Sequence, residues 1–114
     1  MKGYAAYDRV QNTTEGPRQV EYRLLAQVTS ALRAAKAKPD DRPGFYNALV
    51  WNKKVWDAFL CDLVDDRNQL PKPMRQSLIK LASWVSKQTF AVMDGNGKID
   101  TLIDINANMM DGLK

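Results

Sequence analysis

The chain contains no histidine and a single cysteine, Cys61. The first absence removes the commonest general base near neutral pH and the commonest zinc ligand. Together the two counts exclude a structural zinc site, which needs four ligands drawn mainly from those residue types. One cysteine also excludes an intrachain disulfide and fits a reducing compartment. No run approaches the roughly 20 apolar residues that span a bilayer. The opening residues, Met1 to Val10, lack the apolar stretch of a secretory signal. A soluble, cytoplasmic protein is the expectation. Strong charge is missing too: the net value of +4 permits an acidic partner without requiring nucleic acid.

What remains is an ordinary globular composition. Hydrophobic residues make up 45% and charged residues 26% of 114 positions, enough to bury a core and too apolar for default disorder. The length fits one domain over residues 1–114. Repeats, low-complexity tracts and linkers are absent from the sequence.

Helical periodicity dominates. A lead-in from Met1 to Glu15 ends in the polar break Asn12-Thr13-Thr14 and has room for a short helix around Tyr4 to Val10. A first main helix starts at Gly16-Pro17, since proline loses nothing at a first helical position. Its stripe is Val20, Leu24, Val28, Ala31 and Ala35, widened by Leu25 and Leu32, and Lys38-Pro39-Asp40-Asp41 ends it. A second helix, from about Gly44 to Val64, places Phe45, Leu49, Trp56, Phe59, Leu60 and Leu63 on one face. Asp65-Asp66-Arg67-Asn68 closes it with turn residues. The third begins near Pro71 or Pro73 and reaches about Met93, with the stripe Met74, Leu78, Leu81, Val85 and Val92. Ile79 and Phe90 fall on its other side, the pattern of a central helix or of one that covers a partner. The last runs from about Thr101 to Leu113, with Asp100 as N-cap and the stripe Leu102, Ile105 and Met109 extended by Met110 and Leu113. With short connections, the expected fold is all-α: a small antiparallel bundle of four main helices behind a short helical or extended lead-in.

Candidate chemistry is sparse. Asp94-Gly95-Asn96-Gly97-Lys98-Ile99-Asp100 looks like part of a calcium loop. Aligned on Gly97, however, the first ligand position is Val92 and the bidentate glutamate position is Ile103, so the loop reads as an interhelix turn. Gly95-x-Gly97 lacks the strand and the Gly-Lys-Ser/Thr of a phosphate loop. Asp65 and Asp66 read as solvated. Glu21 falls between Val28 and Leu32 in the apolar stripe, as an early-helix carboxylate near the stripe's edge or an ion pair at a partner or helix interface, and alone it lacks the second group that acid–base catalysis needs. A non-enzyme without metal or cofactor is expected.

Features suited to holding a macromolecule stand out more. Asn52 sits within the apolar face of the second helix, where a buried amide either bonds a neighbouring helix and fixes register or meets a bound chain's backbone. Trp56 belongs to that face and reads as core. Trp51 and Trp84 lie off their stripes and suit a groove rim. Met109 and Met110 are core filler or an adaptable partner surface. From Arg67 to Met93 there are five basic residues and no acidic one. Lys72, Lys80 and Lys87 face away from the stripe, and only Phe90 lies near them as an aromatic, so RNA is a weaker expectation than an acidic protein surface.

The order of these pieces resembles the FlaF family of flagellar biosynthesis proteins over nearly the whole chain. The resemblance starts at Tyr4-Ala5-Ala6-Tyr7 and continues through Pro17-Arg18, Glu21-Tyr22-Arg23-Leu24, Val28-Thr29 and Ala31-Leu32. Its strongest parts are Ala48-Leu49-x-Trp51-Asn52-x-x-x-Trp56 and Asn68-Gln69-Leu70-Pro71. Leu78-x-x-Leu81-x-x-Trp84-Val85-x-Lys87, Leu102-Ile103-x-Ile105-Asn106 and Met109-Met110-x-Gly112-Leu113 complete it. Gly16, where a serine-like cap is expected, and the glycine-rich turn after Asp94 depart from the pattern. The resemblance implies a role in flagellin synthesis, export and filament assembly. Flagellin, through a terminal helical segment, is the expected partner, with the translational regulator FlbT or flagellin messenger RNA as the alternative. The expected partner surface comprises Trp51, Asn52, Trp84, Lys87, Phe90, Met109 and Met110.

Overall fold

The computed structural model describes residues 17–113. Four helices follow one another: α1 (Pro17–Ala37), α2 (Arg42–Val64), α3 (Lys72–Met93) and α4 (Ile99–Leu113). No strand occurs among the described residues. The short helix expected around Tyr4 to Val10 lies outside them.

Local chemistry sets the helix ends. Asp41 caps α2: its carboxylate accepts from the Gly44 amide at 3.2 Å, and Pro43 occupies the first turn. The helix therefore begins at Arg42, two residues before the glycine expected to open it. At the far end of α2, Asn68 makes the turn, donating from its side chain to the Asp62 carbonyl while its Oδ1 accepts from the Leu70 amide. Arg75 of α3 donates to the Leu63 carbonyl in the last turn of α2, where unpaired carbonyls favour a cation. Gly95 ends α3 with φ of 80°. The Asn96 amide bonds the Ala91 carbonyl at 2.8 Å and the Gly95 amide bonds that of Val92 at 3.1 Å, which together form a Schellman cap.

The helices alternate in direction. Tyr46 donates to the Met93 carbonyl at 3.0 Å at one end of the α2–α3 pair, and Arg75 reaches Leu63 at the other. Lys36 pairs with Asp100, and the Thr29 hydroxyl lies 3.9 Å from Met110 Sδ, so α4 runs antiparallel to α1. The packed neighbours are α1 with α2, α2 with α3, and α1 with α4, with a thinner α3–α4 contact closing the ring.

The core lies along this axis. Leu25, Val28, Leu32, Leu49, Val85 and Leu102 are wholly buried, and Trp56 packs among them with its ring edge-on to Phe59. Four expectations need correction. Asp100 is not the cap of α4, which starts one residue earlier; Asp100 stands in the first turn and pairs with Lys36 instead. Met74 is not core but half exposed, because α3's first turns project from the bundle: Lys72, Pro73, Gln76 and Ser77 are exposed around it. The buried stripe of α4 is Ile99, Leu102, Ile103 and Asn106, while Ile105, Met109, Met110 and Leu113 are half-buried beside it. Nor is α3 central, since its heavy packing is on α2 alone.

Candidate functional site

The bundle's centre is polar at one level. Trp56 Nε1–H donates to Asn106 Oδ1 at 2.9 Å, and Asn106 Nδ2 donates to Asn52 Oδ1 at 2.8 Å. An indole nitrogen only donates, so it fixes which end of the Asn106 amide faces it, and that in turn fixes Asn52. The relay ends at Asn52 Nδ2, which is buried without a partner. Asn52 and Asn106 are both fully buried. Asn52 therefore bonds across to α4, the register-fixing role open to it from the sequence. Asn106 is the site residue that sequence reasoning did not single out. The signal was there: it follows Leu102 by one helical turn on the apolar stripe, as Asn52 follows Leu49.

A groove of about 380 Å³ opens between α1 and α2. Ala31, Ala34 and Ala35 from α1 and Gly44 and Ala48 from α2 form its floor, Trp51 its wall, and Lys38, Asp41 and Asn47 its polar rim. Trp51 is 41% exposed, an unusual position for so large an apolar side chain. Methyl-sized floor residues let another helix approach closely. Their contribution was invisible as a set, because alanine adds little to a hydrophobic stripe.

The remaining expected residues lie elsewhere. Trp84, Lys87 and Phe90 are exposed on α3. Phe90 lies under the Lys53 ammonium of α2, 5.7 Å from the ring centroid. Met109 and Met110 pack against the core near the end of α4. The seven residues thus lie in four places rather than on one surface: Asn52 in the buried centre, Trp51 in the groove, Trp84, Lys87 and Phe90 on the face of α3, and Met109 and Met110 half-buried near the end of α4.

No cluster of three or more His, Cys, Asp or Glu that could hold a metal ion occurs among the described residues. The segment that looks like a calcium loop is the helix cap already described. Gly97 in it allows a close approach, since a Cβ there would meet the Ala91 side chain and the Val92 amide at 3.2 Å. Asp65, in the turn after α2, carries the clearest electrostatic perturbation. The Arg67 guanidinium donates to both its oxygens, at 2.9 and 2.7 Å, and the Arg67 amide adds a third bond, so its carboxyl is held well below the usual carboxylate range. Arg67 is solvent-exposed and Asp65 half-buried, and the pair braces the turn. Cys61 is an exposed free thiol. No helix among the described residues is long and apolar enough to cross a membrane.

A family model described as flagellar protein FlaF matches residues 4–113, nearly the whole chain. No curated protein and no solved structure matches it.

Proposed function

This chain belongs to the FlaF family of flagellar proteins, and from that premise we propose that it binds flagellin as a secretion chaperone in the cytoplasm. The observation that carries the reading is the α1–α2 groove, floored by alanines and walled by the exposed Trp51. Flagellin's terminal helices polymerise in the filament, so they must be kept apart before export. An amphipathic helix can lay its apolar face in such a groove, with Trp51 as the anchoring contact. The polar rim of Lys38, Asp41 and Asn47 would then meet the helix's flanks. Part of the interaction energy goes into ordering the bound segment, so affinity is modest and release at the export gate is possible.

Ala34→Glu places a charge on the exposed floor of the groove. Co-elution of flagellin with the wild-type protein and its loss with this variant, at unchanged helicity, supports the reading. Equal co-elution with both moves the flagellin contact away from the groove.

A second reading is control of flagellin synthesis through FlbT or flagellin messenger RNA. It draws on the exposed lysines of α3. Lys72→Glu together with Lys80→Glu would then abolish regulation while leaving flagellin binding intact.

A further inference from the structure

We propose that the outer face of α3 docks an acidic helix of a partner protein, on a surface separate from the α1–α2 groove. The argument starts from charge. Between Arg67 and Met93 there are five basic residues and no acidic one. The fold uses two of the five internally: Arg67 binds Asp65, and Arg75 caps the Leu63 carbonyl. The other three, Lys72, Lys80 and Lys87, are exposed and make no ion pair among the described residues.

Their placement is one-sided. At about 100° per residue they share the solvent face of α3, spread over roughly 22 Å of helix axis. The exposed residues between them, Gln76 and Ser83, are neutral. Trp84 borders this strip on one side and Phe90 on the other, at 41% and 54% exposure. Lys53 from α2 stands over Phe90 and adds positive charge at that border, partly offset by its own bond to Asp57 at 2.7 Å.

The occupant follows from this pattern. Lys80 and Lys87 are two helical turns apart, and Lys72 lies just over two turns before Lys80. A helix laid along α3 meets them with carboxylates at the same interval, while its apolar side chains cover Trp84 and Phe90. Exposed ion pairs are individually weak, so the aromatic borders are needed for affinity and the lysines for selection. A nucleic acid fits less well. Its backbone is held by about 6–10 cations in a typical complex, and this strip offers three. The inference does not rest on the flagellin reading, which concerns the groove.

The test uses the three tryptophans as separate reporters, because Trp51 lines the groove, Trp56 is core and Trp84 borders the strip. The probe is a synthetic amphipathic helical peptide with glutamates at intervals of about seven residues and leucines beside them. Its control replaces every glutamate with glutamine. In amide and indole NMR spectra of the full chain, the glutamate peptide shifts the Trp84 indole and α3 amides and leaves the Trp51 indole in place. Binding weakens about tenfold between roughly 50 and 300 mM salt. It is lost in the Lys72→Glu, Lys80→Glu, Lys87→Glu variant and also in the milder triple glutamine variant, which guards against misfolding. Equal binding of the glutamine peptide, shifts confined to Trp51, no binding, or binding that survives both triple variants would each overturn the proposal. So would a single-stranded RNA that outcompetes the peptide for the same lysines.

Discussion

The indole of Trp56 and the amide of Asn106, 50 residues apart in the chain, share a buried hydrogen bond of 2.9 Å that ties α2 to α4 across the bundle axis. This bond sets the polarity of the relay that ends at the unpartnered Nδ2 of Asn52. The two asparagines are therefore not equivalent. Asn106→Leu strands the Trp56 N–H and the Asn52 amide together and is expected to cost about 2–4 kcal/mol. Asn52→Leu strands only the Asn106 Nδ2 and deletes the orphan donor, so about 1 kcal/mol is expected. Urea unfolding of both variants checks the order. A larger loss for Asn52→Leu would contradict the direction assigned to the relay.

The three tryptophans separate stability from surface. Trp56→Ala empties the core and is expected to cost about 3–5 kcal/mol, enough to unfold much of a small domain. Trp51→Ala and Trp84→Ala are expected to stay within about 1 kcal/mol of wild type. Indole hydrogen exchange gives a second readout: the Trp56 proton exchanges slowly, the other two fast.

The N-cap of α2 is also the edge of the groove. A Cβ at Gly44 would collide with the Asp41 carboxylate, so Gly44→Ala is expected to disrupt the cap much as Asp41→Ala does, at about 1 kcal/mol each. Because both act on one interaction, the double variant should cost clearly less than the sum of the singles. Thermal unfolding of the four proteins measures this, and strict additivity would refute the shared cap.

Asp65 gives the pH-dependent prediction. Its carboxyl is held low first by the Arg67 side-chain bonds. The pair therefore favours the folded state at all pH values above the ordinary aspartate range and ceases to do so as pH falls through the lowered folded value. Carboxyl carbon NMR should show Asp65 still ionised after the other aspartates have been protonated. Arg67→Ala should raise it toward the ordinary aspartate range without restoring it fully, because the amide of residue 67 still donates to Asp65.

The number and order of helices were legible in the sequence because proline, glycine and paired turn residues punctuate it sharply: Pro17 opens α1, and Asp94 to Gly97 closes α3. Trp56 as core, and Trp51 and Trp84 as exposed, followed from their angle to each stripe. What the one-dimensional pattern missed depends on three-dimensional termination. Met74 keeps the period of its stripe, but the bundle does not extend over it. Asp100 has the chemistry of a cap, yet a lysine from α1 captures it. A groove edged by Trp51 was expected, but its alanine lining was hidden for a different reason, since those side chains are too small to register as a hydrophobic face. Asn106 escaped notice although its partner Asn52 did not, because a satisfied pair can be recognised only when both positions are seen together.

The most direct test of the groove as a flagellin site is calorimetric titration of flagellin into the wild-type protein and the Trp51→Ala variant, at low and high salt and at several temperatures. The account predicts saturable one-to-one binding to wild type, a negative heat-capacity change from buried apolar surface, little dependence on salt, and loss of binding in Trp51→Ala. Absence of binding to wild type, or binding that ignores Trp51 and vanishes with salt, would contradict it.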